Sequence, residues 1–108
     1  MSDNDVRDPG IEVVAAALPC CSVLESLSVK NTGMTDVGCK NLLIALKETP
    51  SMILVDLSEN PITDDVIENA FDLLRVNPNL ACIDFKGMRI TKKDTPILAK
   101  EFGDRIVM

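Results

Sequence analysis

The sequence predicts an α/β fold: a short solenoid of about three and a half repeats, with parallel strands on the concave side and helices on the convex side. Two observations predict it. An apolar strand pattern opens at residues 24, 52 and 80, an offset of 28 both times, and threonines, helical stripes and prolines return at the same interval. Composition sets the class: 108 residues, 46 % hydrophobic and 26 % charged, suit one globular domain, neither disordered nor membrane-spanning.

The elements follow in order. Residues 1–10 are acidic and polar, read as a flexible segment, and lack the basic region and apolar core of a secretory signal, which predicts an intracellular, cytoplasmic chain. Residues 11–23 form a half-repeat, because subtracting 28 from the stripe Leu42, Leu43, Leu46 gives Val14, Ala15, Leu18 and so a helix over Ile11 to Leu18. Repeat one, 24–51, has strand positions Leu24, Leu27 and Val29, then Met34, Thr35 as helix cap with Asp36 behind it, and Pro50 after the helix. Repeat two, 52–79, carries Met52, Val55, Leu57, Asn60 and Ile62, the cap Thr63 with Asp64 and Asp65, the stripe Ala70, Phe71, Leu74, and Pro78. Repeat three, 80–108, runs through Leu80, Ile83, Phe85 and Ile90 to the cap Thr91 and the stripe Leu98, Ala99, Phe102.

Positions one, four, six, nine and eleven of these copies trace L-x-x-L-x-L-x-x-N-x-L, and the chain resembles the leucine-rich repeat family in its 28-residue, ribonuclease-inhibitor-like class. Repeat two matches best. In the family the ninth residue, here Asn60, bonds loop backbone groups that the turn leaves unpaired. Thr32 can partly replace it in repeat one, whereas Met88 in repeat three has no side-chain amide. Pro96, five residues after Thr91, is a second departure, since a proline inside a helix loses a hydrogen bond. The last helix is therefore expected to start late, with Thr95 or Asp94 as cap and Pro96 in its first turn.

Strands stack about 4.8 Å apart and helices about 10 Å apart, so a stack of such units must curve, with the sheet inside. Positions one, four and six point into the core, which leaves three, five and seven on the concave face. These are Ser26, Ser28 and Lys30 in repeat one, Leu54, Asp56 and Ser58 in repeat two, and Cys82, Asp84 and Lys86 in repeat three. They are the candidate protein-binding residues. At the other end, Met108 falls at 80 + 28, the first position of a fourth repeat, preceded by the apolar Ile106 and Val107. That edge belongs to a longer solenoid, packs on another subunit, or folds back over the last core layer.

The chain has no histidine, tyrosine or tryptophan, so the commonest general base and metal ligand are missing, and no cysteine has an imidazole to activate it. No catalytic residue, cofactor or metal is expected. Cys20, Cys21, Cys39 and Cys82 lack the paired spacing of structural zinc sites and read as reduced thiols without a disulfide, Cys39 and Cys82 serving as core or surface residues. Asp64, Asp65, Glu68 and Asp72 read as a solvated helix face. A net charge of −6 argues against nucleic acid or anionic membrane as partner and favours a neutral or basic protein. The sequence thus points to a protein-interaction module working through its concave face or C-terminal edge. Two alternatives are a subunit or fragment of a cytoskeletal, ciliary or innate-immune scaffold, and a regulator of a small GTPase.

Overall fold

A computed structural model describes residues 7–20 and 23–108. Helix α1 spans Arg7–Ala17 and runs on as a 3-10 turn, Leu18–Cys20. Then follow β1 (Ser26–Ser28), α2 (Asp36–Leu46), β2 (Leu54–Asp56), a 3-10 turn at Asp64–Val66 leading into α3 (Ile67–Val76), β3 (Cys82–Asp84), α4 (Thr95–Ala99), a 3-10 segment (Lys100–Arg105) and β4 (Ile106–Val107). The four strands form one parallel sheet in chain order. Ser26 pairs with Leu54 and Leu54 with Cys82, so the first three strands keep the 28-residue register. This is a short repeat solenoid.

The core lies between sheet and helices. Val29, Leu57 and Phe85 from position six, Met34 and Ile62 from position eleven, and the stripes Leu42, Leu43, Leu46 and Ala70, Phe71, Leu74 are all buried. Polar groups inside this layer are matched: among the described residues no buried side-chain nitrogen or oxygen lacks a hydrogen-bond partner. Asn60 does most of this. Its Oδ1 accepts from the backbone N–H of Thr32 and Met34 at 2.9 and 3.2 Å, and its Nδ2 donates to the carbonyls of Val29, Leu57 and Ser58 at 2.9 to 3.2 Å. One amide thus closes its own loop and fastens it to the loop before.

The threonines act differently from the caps expected of them. Thr63 Oγ1 does accept from Asp65 N–H, but Thr35 makes no such bond to its helix. What recurs is a bond to the aspartate one repeat earlier. Thr35 donates its N–H and hydroxyl to Asp8, Thr63 both to Asp36 at 2.7 and 2.6 Å, and Thr91 both to Asp64 at 3.0 and 2.7 Å. A carboxylate takes two donors from the next repeat because charge-assisted bonds are about twice as strong as neutral ones. Asp64 also accepts from Lys92 N–H and from Thr95 Oγ1, and it is buried. That corrects the reading of Asp64 as a solvated residue, while Asp65, Glu68 and Asp72 are exposed as expected. Burial alone would raise the Asp64 pKa; the hydrogen bonds from Thr91, Lys92 and Thr95 outweigh it and hold the carboxyl well below the ordinary carboxylate range.

Three further differences sit at the ends. Residues 7–10, expected in the flexible segment, are helical, since α1 runs from Arg7 and not Ile11, with Pro9 in its first turn, where a missing N–H costs nothing; residues 1–6 of that segment, and Cys21, lie outside the described residues. In repeat three, Ile90 is 42 % and Leu98 45 % exposed, although the pattern placed both in the core. Pro96 delays α4 as anticipated, with Asp94 at the cap position, and the helix is then too short to carry the full stripe. Finally, Ile106 pairs with Ile83, so β4 comes after 23 residues (106 − 83), not 28. The chain turns at Gly103, whose φ of 57° suits glycine, and omits the loop that separates helix from strand in the other units. Met108 is therefore not the first position of a fourth repeat. The tail adds β4 to the sheet, parallel to β3, with Ile106 buried.

Candidate functional site

Strand side chains alternate between faces, so residues three and five of each copy share the face opposite the helices, and register aligns them across the sheet. The result is two rows. Ser26, Leu54 and Cys82 form one; Ser28, Asp56 and Asp84 form the other. Together with the backs of Leu27 and Val55 they line a shallow concave groove of about 290 Å³. Leu54 stands at its centre, 51 % exposed.

The seventh positions divide. Lys30 and Lys86 are exposed at one rim, but Ser58 is only 4 % exposed and leaves the predicted set. Its N–H and hydroxyl both donate to Asp56 Oδ1, at 3.0 and 2.5 Å, which turns the side chain back onto the strand end. Asp84 Oδ1 likewise accepts from Lys86 N–H at 2.9 Å. These two carboxylates thus shape the turn after each strand while presenting charge to the groove.

The row of fifth positions is acidic. Asp56 and Asp84 are direct register partners, and among the described residues no lysine or arginine side chain lies within ion-pair distance of either. Like charges side by side on neighbouring strands repel. Burial raises the pKa of the Cys82 thiol, and the carboxylates of Asp84, Asp104 and Asp56 raise it further, so this half-buried cysteine stays a neutral thiol. Asp104 was not among the predicted residues. Its charge acts on Cys82 from the shortened last unit, which the 28-residue pattern does not reveal. Cys39 is a core residue, its thiol pushed up to about 12 by burial and then by the nearby Asp36 and Asp8.

Other surfaces are less organised. A rim groove between Val23, Pro50 and Ile53 lies where helices lead into strands, and an open apolar surface at the C-terminal edge is formed by Pro96, Ala99, Ile106 and Met108. Among the described residues no three histidine, cysteine or acidic side chains are grouped so as to hold a metal ion, and no helix is long and apolar enough to cross a membrane.

The strand–loop–helix unit, the 28-residue register and the loop amide of Asn60 define a leucine-rich repeat protein, and the profile of that family, "Leucine Rich repeat", matches residues 20–43. The chain is built of such repeats, of the ribonuclease-inhibitor-like kind. It is 34 % identical to mouse (Mus musculus) "NACHT, LRR and PYD domains-containing protein 4C" over 80 residues, 73 % of this chain and 8 % of that one. It is 36 % identical to mouse ribonuclease inhibitor over 62 residues, 56 % of this chain and 13 % of the inhibitor. The chain therefore spans only a small part of the relatives it matches. Among solved structures, "Leiomodin-1 Actin-Binding Site 2 (ABS2)" superposes with a TM-score of 0.82 at 21 % identity, over 94 % of this chain and 61 % of that one, a likeness of fold.

Proposed function

We propose that this chain is a protein-interaction module that holds a partner on the concave face of its sheet, through Ser26, Ser28, Leu54, Asp56, Cys82 and Asp84, with Lys30 and Lys86 at the rim. The observation that carries this reading is the pair of side-chain rows, fixed in register on a rigid parallel sheet and open to solvent. Preorganised side chains lose little freedom on binding, which is the cost that otherwise limits affinity. The groove is shallow and open, unlike the enclosed, largely apolar pockets of small ligands. Leucine-rich repeats are generally protein-binding modules, and two of the matched proteins bear names, ribonuclease inhibitor and actin-binding site, that denote action on another protein. No catalytic step is assigned to the chain.

A second reading uses the C-terminal edge, where Ile97, Leu98 and Met108 are exposed beside the apolar surface at Pro96 and Ile106. That edge would seat a neighbouring subunit of a larger scaffold. Both readings are tested together by recovering partners from cell lysate with the native chain, with Leu54→Arg, and with Ile97→Arg. Both replaced residues are exposed, so the fold is retained. A partner lost with Leu54→Arg and kept with Ile97→Arg supports the concave face. The reverse pattern moves the site to the edge.

A further inference from the structure

We infer that the concave groove takes a segment of partner chain that presents an apolar side chain and a lysine or arginine about 7 Å apart, the spacing of alternate residues on one strand face. The inference rests on the concave-face reading and specifies the chemistry of its partner. The two rows of the groove differ in kind. Position three offers Leu54 with the thiol of Cys82 beside it, a neutral and largely apolar strip. Position five offers Asp56 and Asp84, one strand spacing apart and without a cation of their own.

Each row calls for its complement. Covering Leu54 removes exposed apolar surface from water. A cation set between Asp56 and Asp84 removes the repulsion between them, and a guanidinium has enough donors to serve both at once. The hydrogen bonds already made by Asp56 Oδ1 and Asp84 Oδ1 hold the carboxylates in place before the partner arrives. Beyond the acidic row stand Lys30 and Lys86, so a second cation placed further toward that rim is repelled. The groove therefore selects for order as well as composition: apolar residue, spacer, cation, with no further positive charge on the lysine side.

The test is selection of a random linear peptide library on the immobilised full chain, followed by binding measurements on the enriched peptides. The expected result is enrichment of lysine or arginine two positions from an apolar residue. Those peptides lose affinity about tenfold or more against Asp56→Asn/Asp84→Asn, and against Leu54→Ser, with unchanged thermal melting. Asparagine keeps the Oδ1 acceptor that shapes each turn and removes only the charge, so loss of binding is not loss of fold. Peptides that depend on Leu54 but carry no cation, or that ignore the double asparagine variant, overturn this inference and leave the concave-face reading standing. Peptides indifferent to all of these variants overturn both. Failure to enrich any peptide overturns the claim that the groove takes a linear segment.

Discussion

Repeats two and three share an apolar skeleton and part company in their polar residues. Leu80, Ile83 and Phe85 are buried as well as Met52, Val55 and Leu57. Repeat two adds Asn60, which ties its loop to the loop before; Asp64, which holds the start of the next unit; and Asn77, whose Nδ2 donates to Leu46 carbonyl at 2.7 Å at the end of α2. Repeat three has Met88 and Lys92 at the first two of these stations. Only the third is filled: Arg105 donates to the carbonyls of Leu74 and Asn77, each at 3.0 Å. Phe102 stacks on Phe71 at 4.9 Å, and the Arg75 guanidinium lies 5.5 Å from its ring. Repeat three is thus pinned at its helix end but not at its loop, where Ile90 comes to the surface. Strand burial needs only an apolar pattern, whereas loop and helix placement need side chains that satisfy specific backbone groups.

The largest effect that separates the two regions comes from one residue type at one repeat position. Leu42 is fully buried in α2, and Leu98, two repeats on, is half exposed in α4. Leu42→Ala is expected to cost about 2–5 kcal/mol through lost burial and the cavity left behind. Leu98→Ala is expected to cost about 0.5 kcal/mol or less. Urea denaturation of both variants measures the gap. Comparable losses would mean that the third helix is packed as tightly as the others.

Asp64 gives the next largest effect, because it joins the ordered part to the looser one. Asp64→Asn removes the charge from a buried acceptor of four hydrogen bonds and is expected to cost about 2 kcal/mol. The same group sets a pH dependence. Its folded pKa is depressed relative to the unfolded value of about 4, so its contribution is complete above that value and lost as pH falls toward the folded one. The urea midpoint of the native chain should therefore drop on acidification below about pH 4, with a shallower fall in Asp64→Asn. Hydrogen exchange resolves where the loss occurs: amides around Thr91 to Thr95 should open before those of β2. Equal acid sensitivity in both proteins would assign the effect to other carboxylates.

Much of this was legible in the sequence, for a physical reason. Apolar positions, Asn60 and the late start forced by Pro96 act through burial and backbone chemistry that local pattern reports directly. The concave face was legible through strand alternation for Ser26, Ser28, Leu54, Asp56, Cys82 and Asp84, which line one groove. Ser58 was not, because its inward turn depends on a bond to Asp56 that alternation ignores. The aspartate staples were half legible. Asp8, Asp36 and Asp64 recur at 28, as do Thr35, Thr63 and Thr91, but reading each aspartate against its own helix hid its bond to the threonine of the next. Asp104 and the early β4 lay beyond reach, since a shortened unit breaks the count on which every other assignment rested.

The smallest effect concerns a position the two repeats share. Asn31, Glu59 and Gly87 stand 28 apart, and all three have positive φ, 54°, 59° and 90°. The turn after each strand demands a left-handed residue there, a conformation that asparagine tolerates and glycine adopts freely. Glutamate does neither, so in this one respect the better-ordered repeat carries the strain. Replacing it by glycine relieves about 1–2 kcal/mol of left-handed strain and returns part of that as greater freedom of the unfolded chain. The net expectation is a gain of about 0.5 kcal/mol for Glu59→Gly, read as a higher urea midpoint with unchanged slope. Gly87→Glu should lose a similar amount from repeat three, and a loss much above that would show that the looser loop leans on its glycine more than the ordered one would.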